Sequence, residues 1–323
     1  MLVRRNDARV AVCLAACLWW AAGAQAAPRL VQADGFATQN GGVTGGGDAK
    51  SVTVATPDEL RAAIAGDEPA VIVVQGQLDA GGVRVGSNKT LLGADSKSGL
   101  SGGTVRVDGR NCIFQNLVFG PARGDVFEVS GGQNVFITRC EFFGSSDELC
   151  SIVRGADFVT VSWCKFHFPD PDSHSFPHLI GNSDSRTSDR GKLRVTMHHN
   201  WYDAGCRSRM PRVRFGRVHL YNNYYACHGN NYCIGTGVES RIRVERSVFD
   251  DVNRPWNDMG GMDRKAEIGW RDLEFIGCQQ PTYAPNRWPV FETPYDYQPD
   301  ELADVKTLVT DERHGAGNKP PRP

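Results

Sequence analysis

Six nine-residue stretches of this chain lie over one another: NCIFQNLVF (111–119), NVFITRCEF (134–142), FVTVSWCKF (158–166), RVTMHHNWY (194–202), RVHLYNNYY (217–225) and RIRVERSVF (241–249). Their second positions are Cys112, Val135, Val159, Val195, Val218 and Ile242. Their fourth are Phe114, Ile137, Val161, Met197, Leu220 and Val244. The ninth is always aromatic: Phe119, Phe142, Phe166, Tyr202, Tyr225 and Phe249. Successive aromatics are separated by 23, 24, 36, 23 and 24 residues. Two apolar residues at a spacing of two mark a short strand with one buried face, and a single strand of this kind cannot bury that face alone. Stacked copies can. Too little helical periodicity separates the stretches for helix-bearing repeats, and roughly 23 residues suit one coil of three short strands and three turns. The expected fold is therefore all-β: one single-domain right-handed parallel β-helix, with the six aromatics on an internal ladder and Val195 and Val218 on the same sheet. The seventh positions, Leu117, Cys140, Cys164, Asn200, Asn223 and Ser247, form a second column. With coils about 4.8 Å apart, Asn200 and Asn223 are expected to hydrogen-bond along it in a structural role. Cys140 and Cys164 become neighbours, either bridged or simply buried thiols.

The 36-residue interval carries an additional 12 or 13 residues within FPDPDSHSFPHLIGNSDSRTSDRGK. A long loop on a rigid solenoid commonly carries function. Elsewhere, Thr56-Pro57-Asp58-Glu59 opens a short helix, with Thr56 as cap, Pro57 in the first turn and Glu59 closing a capping box. Ala70 to Val74 reads as a buried strand. Leu30 to Gly47, which ends in GGVTGGG, reads as an irregular segment covering a solid core.

Residues 1–26 read as a secretory signal, with Arg4, Arg5 and Arg9 at its basic end, an apolar run from Val10 to Ala22 and a small-x-small cleavage site at Ala24-Gln25-Ala26. Residues 27–323 then form the mature domain. The expected location is extracellular, with the periplasm as the alternative, and no membrane association is expected after cleavage. Removing three arginines and Asp7 leaves 33 basic and 36 acidic residues, a formal charge of −3. That balance argues against nucleic acid as a partner. Eight cysteines stay with the mature chain, an even number that permits disulfides in an exported protein. A monomer is expected.

Arg207, Arg209, Arg212, Arg214 and Arg217 fall within eleven residues, a local basic patch on a mildly acidic chain. Such a cluster is either a solvated ion-pair surface or an anion site, because the guanidinium fork matches carboxylates.

At this point the chain resembles the pectate lyase family of polysaccharide lyases. The likeness runs from Ala37 to Val74, through NKTLLG (88–93), GADFVTVSW (155–163), LIGNSD (179–184) and RMPRVRFGRVHLYNNYY (209–225), to PVFETPYDYQPDELADVKTLVT (289–310). The resemblance implies β-elimination on α-1,4-linked galacturonan (pectate), usually with calcium, so the expected partner is an acidic plant cell-wall polysaccharide. Elimination removes the proton on C5 beside the uronate carboxyl and expels the C4 oxygen. The carboxylate must be neutralised as the carbanion develops. Within the Arg-x-Pro-x-x-Arg motif, the resemblance makes Arg209 the base at C5 and Arg214 the residue that holds the substrate carboxylate. Arginine is an unusual base, since its free pKa exceeds about 12.

By the same resemblance, Asp125 and Asp147 are the expected calcium ligands. Two departures follow. Ser151 stands where a further aspartate is usual, and Arg123 stands where an acid is frequent, which together point to a weak or substrate-assisted calcium site. Glu148 is expected to point away from Asp147 on a strand. Counting from Gly181, Phe176 stands where the family has a lysine, and His174 is the candidate that helps bind substrate, with His178 on the other flank. Three alternatives stay open: a calcium-independent pectin lyase in which Arg123 supplies the charge, a non-catalytic polysaccharide-binding β-helix, and other pectin-active β-helices. The last are disfavoured because the hydrolase and esterase motifs are absent.

Overall fold

The computed structural model describes residues 29–172, 174–282 and 285–322. The repeat sets the architecture. Each coil contributes one strand to a ten-stranded sheet and, in most coils, two to a fifteen-stranded sheet whose two arms meet at the long strand Gly99–Val107. Strand pairing is parallel, so the coils form a parallel β-helix with three faces.

The second-position column runs in register through Cys112, Val135, Val159, Val195, Val218 and Ile242, so Val195 and Val218 share the ten-stranded sheet. The ninth-position aromatics stack on the next face with centroid separations of 5.0, 5.0, 5.4, 4.8 and 4.5 Å from Phe119 to Phe249. Phe275 extends the ladder by a seventh ring at 5.5 Å. The Tyr202 and Tyr225 hydroxyls are buried with no hydrogen-bond partner among the described residues. In the seventh-position column, the Asn200 backbone N–H and side-chain amide donate to Asn223 Oδ1 at 3.0 and 3.1 Å, and Asn200 Oδ1 accepts from Cys164 N at 3.0 Å. Cys140 and Cys164 are buried thiols donating to the carbonyls of Thr138 and Ser162, each at 3.2 Å. All eight cysteines among the described residues are free, so the disulfides that the even count permitted do not form in this structure.

The helix Pro57–Ile64 has the expected capping box on Thr56 and Glu59, and buries Leu60 and Ile64 over one end of the coils. The glycine-rich N-terminal segment covers the outside of the ten-stranded sheet. At Gly45, φ is +57° and a Cβ would stand 2.0 Å from Thr90 Oγ1, so only glycine allows this approach. The segment's Phe36 N–H donates to Thr196 Oγ1 at 3.0 Å, and Ala37 N–H to Thr160 Oγ1 at 3.1 Å. The C-terminal tail returns to the same strand: the Tyr295 hydroxyl lies 2.7 Å from Thr196 Oγ1 and 2.8 Å from His219 Nδ1. Nearby, His199 Nε2 meets Asp300 at 2.8 Å. Residues 1–28, including the expected signal, lie outside the described residues.

Candidate active site

The turns that precede successive strands of one arm, Phe127–Ser130, Cys150–Val153, Leu179–Ile180 and Arg212–Val213, line up along the helix axis. They carry, in order, Asp125, Asp147 with Glu148, His174 with Phe176, and Arg209. The long loop of the enlarged coil joins the arginine turn directly. His178 N–H donates to the Arg209 carbonyl at 2.8 Å, and Arg207 N–H to the Ser175 carbonyl at 2.9 Å.

Asp125, Asp147 and Glu148 offer carboxylate oxygens that all lie within 4.8 Å of one another. This corrects the expectation for Glu148. Alternation of side chains holds inside a strand, but Glu148 lies in the turn before Cys150–Val153 and turns inward beside Asp125. Its backbone N–H donates to Asp125 Oδ1 at 3.2 Å. Burial pushes the Glu148 carboxyl up to about 8; Asp147 and Asp125 add to the rise, and the Arg209 guanidinium pulls against it. The Asp125 carboxyl is likewise raised by burial, with Asp147 and Glu128 reinforcing the shift and the Glu148 N–H and Ser151 hydroxyl opposing it. The Ser151 hydroxyl is close enough to influence Asp125 but makes no hydrogen bond of normal geometry among the described residues.

Arg209 forms an ion pair with Glu148 Oε1, and its Cζ lies 4.0 Å from the centroid of the Phe176 ring. Phe176 therefore does not leave a gap where a lysine was expected: it is the wall on which the guanidinium stacks. Burial raises the nearby Tyr232 hydroxyl, and the Arg212 and Arg209 guanidinium groups pull against that rise. Arg214 is nearly buried. Its Nε donates to Asp184 at 2.5 Å and its Nη1 to the Gly181 carbonyl at 2.8 Å, and Arg264 shares Asp184 at 2.8 Å. No hydrogen bond to protein uses Arg214 Nη2 among the described residues.

His174 is exposed at the rim, its ring centroid 5.5 Å from that of Phe176. His178 is a correction. It is wholly buried, its Nδ1–H donating to the Cys150 carbonyl at 3.0 Å and its ring packed on Phe166 and Tyr202, with burial pushing it down to about 3. It belongs to the core. Arg123 is a second correction. The charges acting on Asp125 come from Asp147 and Glu128, while Arg123 is exposed and lines a cleft with Arg84 and Arg106 toward the N-terminal end of the coils.

The same geometry has relatives. A family model described as "Pectate lyase" matches residues 9–267. The chain belongs to the pectate lyase family. Pectate lyase A of Emericella nidulans is 36% identical over 235 residues, covering 68% of this chain and 69% of that protein. A pectate trisaccharide-lyase of Bacillus licheniformis is 30% identical over 305 residues, covering 85% of this chain and 84% of its own. Among solved structures, a pectate lyase bound to a hexasaccharide superposes with a TM-score of 0.76 at 21% identity, over 88% of this chain and 97% of that one, which establishes the shared β-helix. Membership makes this chain a polysaccharide lyase and disfavours the non-catalytic and hydrolytic readings. The Arg-x-Pro-x-x-Arg motif pointed to Arg209 and Arg214. Glu148, Phe176 and Asp184 hold those arginines from other coils: Phe176 and Asp184 fell within stretches the resemblance had marked, but nothing in the sequence showed that they or Glu148 would contact the arginines.

Proposed function

We propose that this pectate lyase family member cleaves α-1,4-linked galacturonan by β-elimination, releasing unsaturated oligogalacturonates. One observation carries the reading: Arg209, from the Arg-x-Pro-x-x-Arg motif, extends into a cluster of three carboxylates on the same edge of the coils. Arg209 takes the C5 proton. Its guanidinium is held between the Phe176 ring and Glu148, which supports this role, because a base must be fixed within hydrogen-bond reach of the proton it removes. Arg214, tied at Nε and Nη1, offers Nη2 to a substrate carboxylate. His174, on the rim beside Phe176, contacts the sugar chain as it enters.

The acid cluster fits a hard cation. Three oxygen donors converge, and burial raises the carboxyls of Asp125 and Glu148, with their acidic neighbours adding to the rise, so a cation placed among them would relieve that repulsion. Asp125, Asp147 and Glu148 would hold calcium, which when bound neutralises uronate carboxylates and makes the C5 proton more acidic. Asp147 is exposed, Glu148 is shared with Arg209 and must lose a proton, and Ser151 contributes only a neutral oxygen. Affinity in the free protein is therefore low, roughly millimolar, and substrate carboxylates complete the shell. The proposed setting is extracellular or periplasmic, with the protein acting as a monomer.

The test is the ultraviolet absorbance of the unsaturated uronide during incubation with polygalacturonate, with calcium and with chelator. A rise that chelator abolishes supports the reading. No rise on pectate or on methylated pectin overturns it. Cleavage of methylated pectin that persists in chelator overturns the calcium assignment alone.

A further inference from the structure

The edge that carries the acid cluster does not stop at Asp125. Outward-facing residues continue in register toward the N-terminal end: Ser151 pairs with Glu128, Glu128 with Arg106, and Arg106 with Arg84. At about 4.8 Å per coil, Arg106 stands two coils from Ser151 and Arg84 three. Arg123, two residues before Asp125 on the same turn, projects to this side. Arg84, Arg106 and Arg123 line one open cleft of about 450 Å³, whose remaining walls are Gly82, Val83, Gly103 and Thr104.

The charges in this cleft are unbalanced. Arg84 pairs with Asp108, and Arg106 shares Glu128 with Arg154. Arg123 is exposed and has no hydrogen-bond or ion-pair partner among the described residues. The side of Arg84 is 64% exposed and that of Arg106 38%, so both guanidinium groups reach the cleft while held at one end by an acid. The floor is open as well: a Cβ on Gly82 would meet nothing nearer than the Thr104 carbonyl at 4.0 Å. A groove with a fixed row of arginines, a bare glycine floor and a surplus cation suits a planar carboxylate on an extended polymer, which guanidinium forks bind in preference to neutral sugar.

We propose that Arg84, Arg106 and Arg123 form a remote uronate-binding subsite, continuous with the catalytic edge, that grips the galacturonan chain several sugars away from the bond being cut. The inference rests on the lyase reading above. It assigns Arg123 to substrate recognition at a distance and not to the reacting carboxylate. It also makes the protein dependent on chain length. A long substrate spans both regions, whereas a trimer occupies the catalytic region alone.

Three forms are compared: the wild type, Arg84→Ala/Arg123→Ala, and Gly82→Glu, which sets an acid into the cleft without touching an arginine. Initial rates are measured on polygalacturonate and on trigalacturonate at low and high salt. For the double variant KM on the polymer should rise about tenfold at low salt, on the scale of two exposed charge contacts, with kcat unchanged. Gly82→Glu should shift KM in the same direction. The effect should shrink at high salt, as exposed charges are screened, and be absent on the trimer. Equal KM shifts on polymer and trimer, or none on either, overturn the subsite while leaving the lyase reading intact. Thermal midpoints within a few degrees of wild type exclude misfolding as the cause of a shift. Should the wild type cleave neither substrate, the lyase reading falls. Retardation in a native gel containing polygalacturonate then decides the subsite, and equal mobility of wild type and double variant overturns it.

Discussion

The aromatic ladder and the catalytic edge are built from the same coils and obey opposite rules. Inside, each coil repeats its neighbour: a ring on a ring, from Phe119 through Phe275, with nearly parallel planes. Along the edge the side chains change character from coil to coil. Two acid-bearing turns, Asp125 and Asp147 with Glu148, give way to Phe176 and then to Arg209, and the guanidinium takes its place from the unlike neighbours beside it. Translational regularity stabilises the fold, and its interruption supplies the chemistry. The interruptions are confined to turns because a turn residue can change without displacing the strands on either side.

That contrast predicts which substitutions cost stability and which cost rate. Phe166→Ala removes a ring stacked on both sides and should destabilise the fold by about 3–5 kcal/mol, read as a lower denaturation midpoint. The folded fraction should retain near-normal kcat, and a variant with intact stability would break the ladder's role. Arg209→Lys should do the reverse: kcat falls by at least ~100-fold while the thermal midpoint stays within a few degrees. Near-normal turnover would remove Arg209 from the mechanism.

The buried histidines sharpen the comparison through pH. Burial lowers His199 and His219 to about 4 and His178 to about 3. An unfolded histidine takes up its proton near pH 6.5. Between roughly pH 6.5 and 4 the unfolded chain therefore binds protons that the folded chain refuses, and stability falls as pH drops. Glu148, raised to about 8, works in the opposite direction: its folded form holds a proton that the unfolded form releases above about 4.5. In Glu148→Gln that opposition is gone, so the loss of stability from pH 7 to 5 should be steeper than in wild type. Urea midpoints at the two pH values test this; an unchanged or shallower slope would contradict it.

Ser151→Asp should add a charged ligand beside Asp125 and lower the calcium concentration that gives half-maximal activity by roughly tenfold. An unchanged requirement would show that Ser151 does not face the ion. The smallest effect is expected at Tyr202→Phe. The hydroxyl is buried without a partner among the described residues, so its removal should be neutral or stabilising by about 1 kcal/mol. A clear loss of stability would mean that the hydroxyl has a partner.

The sequence was legible where the molecule repeats. Columns of apolar, aromatic and Asn residues at fixed spacing specified the sheets, the ladder and the amide stack before any coordinate, and the Arg-x-Pro-x-x-Arg motif marked one end of the site. It was not legible where the repeat breaks. Strand alternation, carried one residue too far into a turn, sent Glu148 the wrong way. His178 looked like a rim residue because a polar side chain in a long loop carries no sign of burial; only the packing of Phe166 and Tyr202 around it shows that it is core. Arg123 stood two residues from Asp125, yet sequence proximity could not say into which cleft its long side chain would turn.

The two clasps on Thr196 have a consequence for how the molecule comes apart. A stack of coils that touch only their neighbours can unravel from either end, one coil at a time. Here the N-terminal segment through Phe36 and the C-terminal tail through Tyr295 are both fastened to one hydroxyl on the seventh strand of the ten-stranded sheet. Peeling from either terminus must first release an anchor that lies several coils inward, six strands from one end of the ten-stranded sheet and three from the other, and that anchor is shared with the other end. The clasps thereby turn a chain of separable neighbours into a single cooperative unit, held shut like a book by a strap.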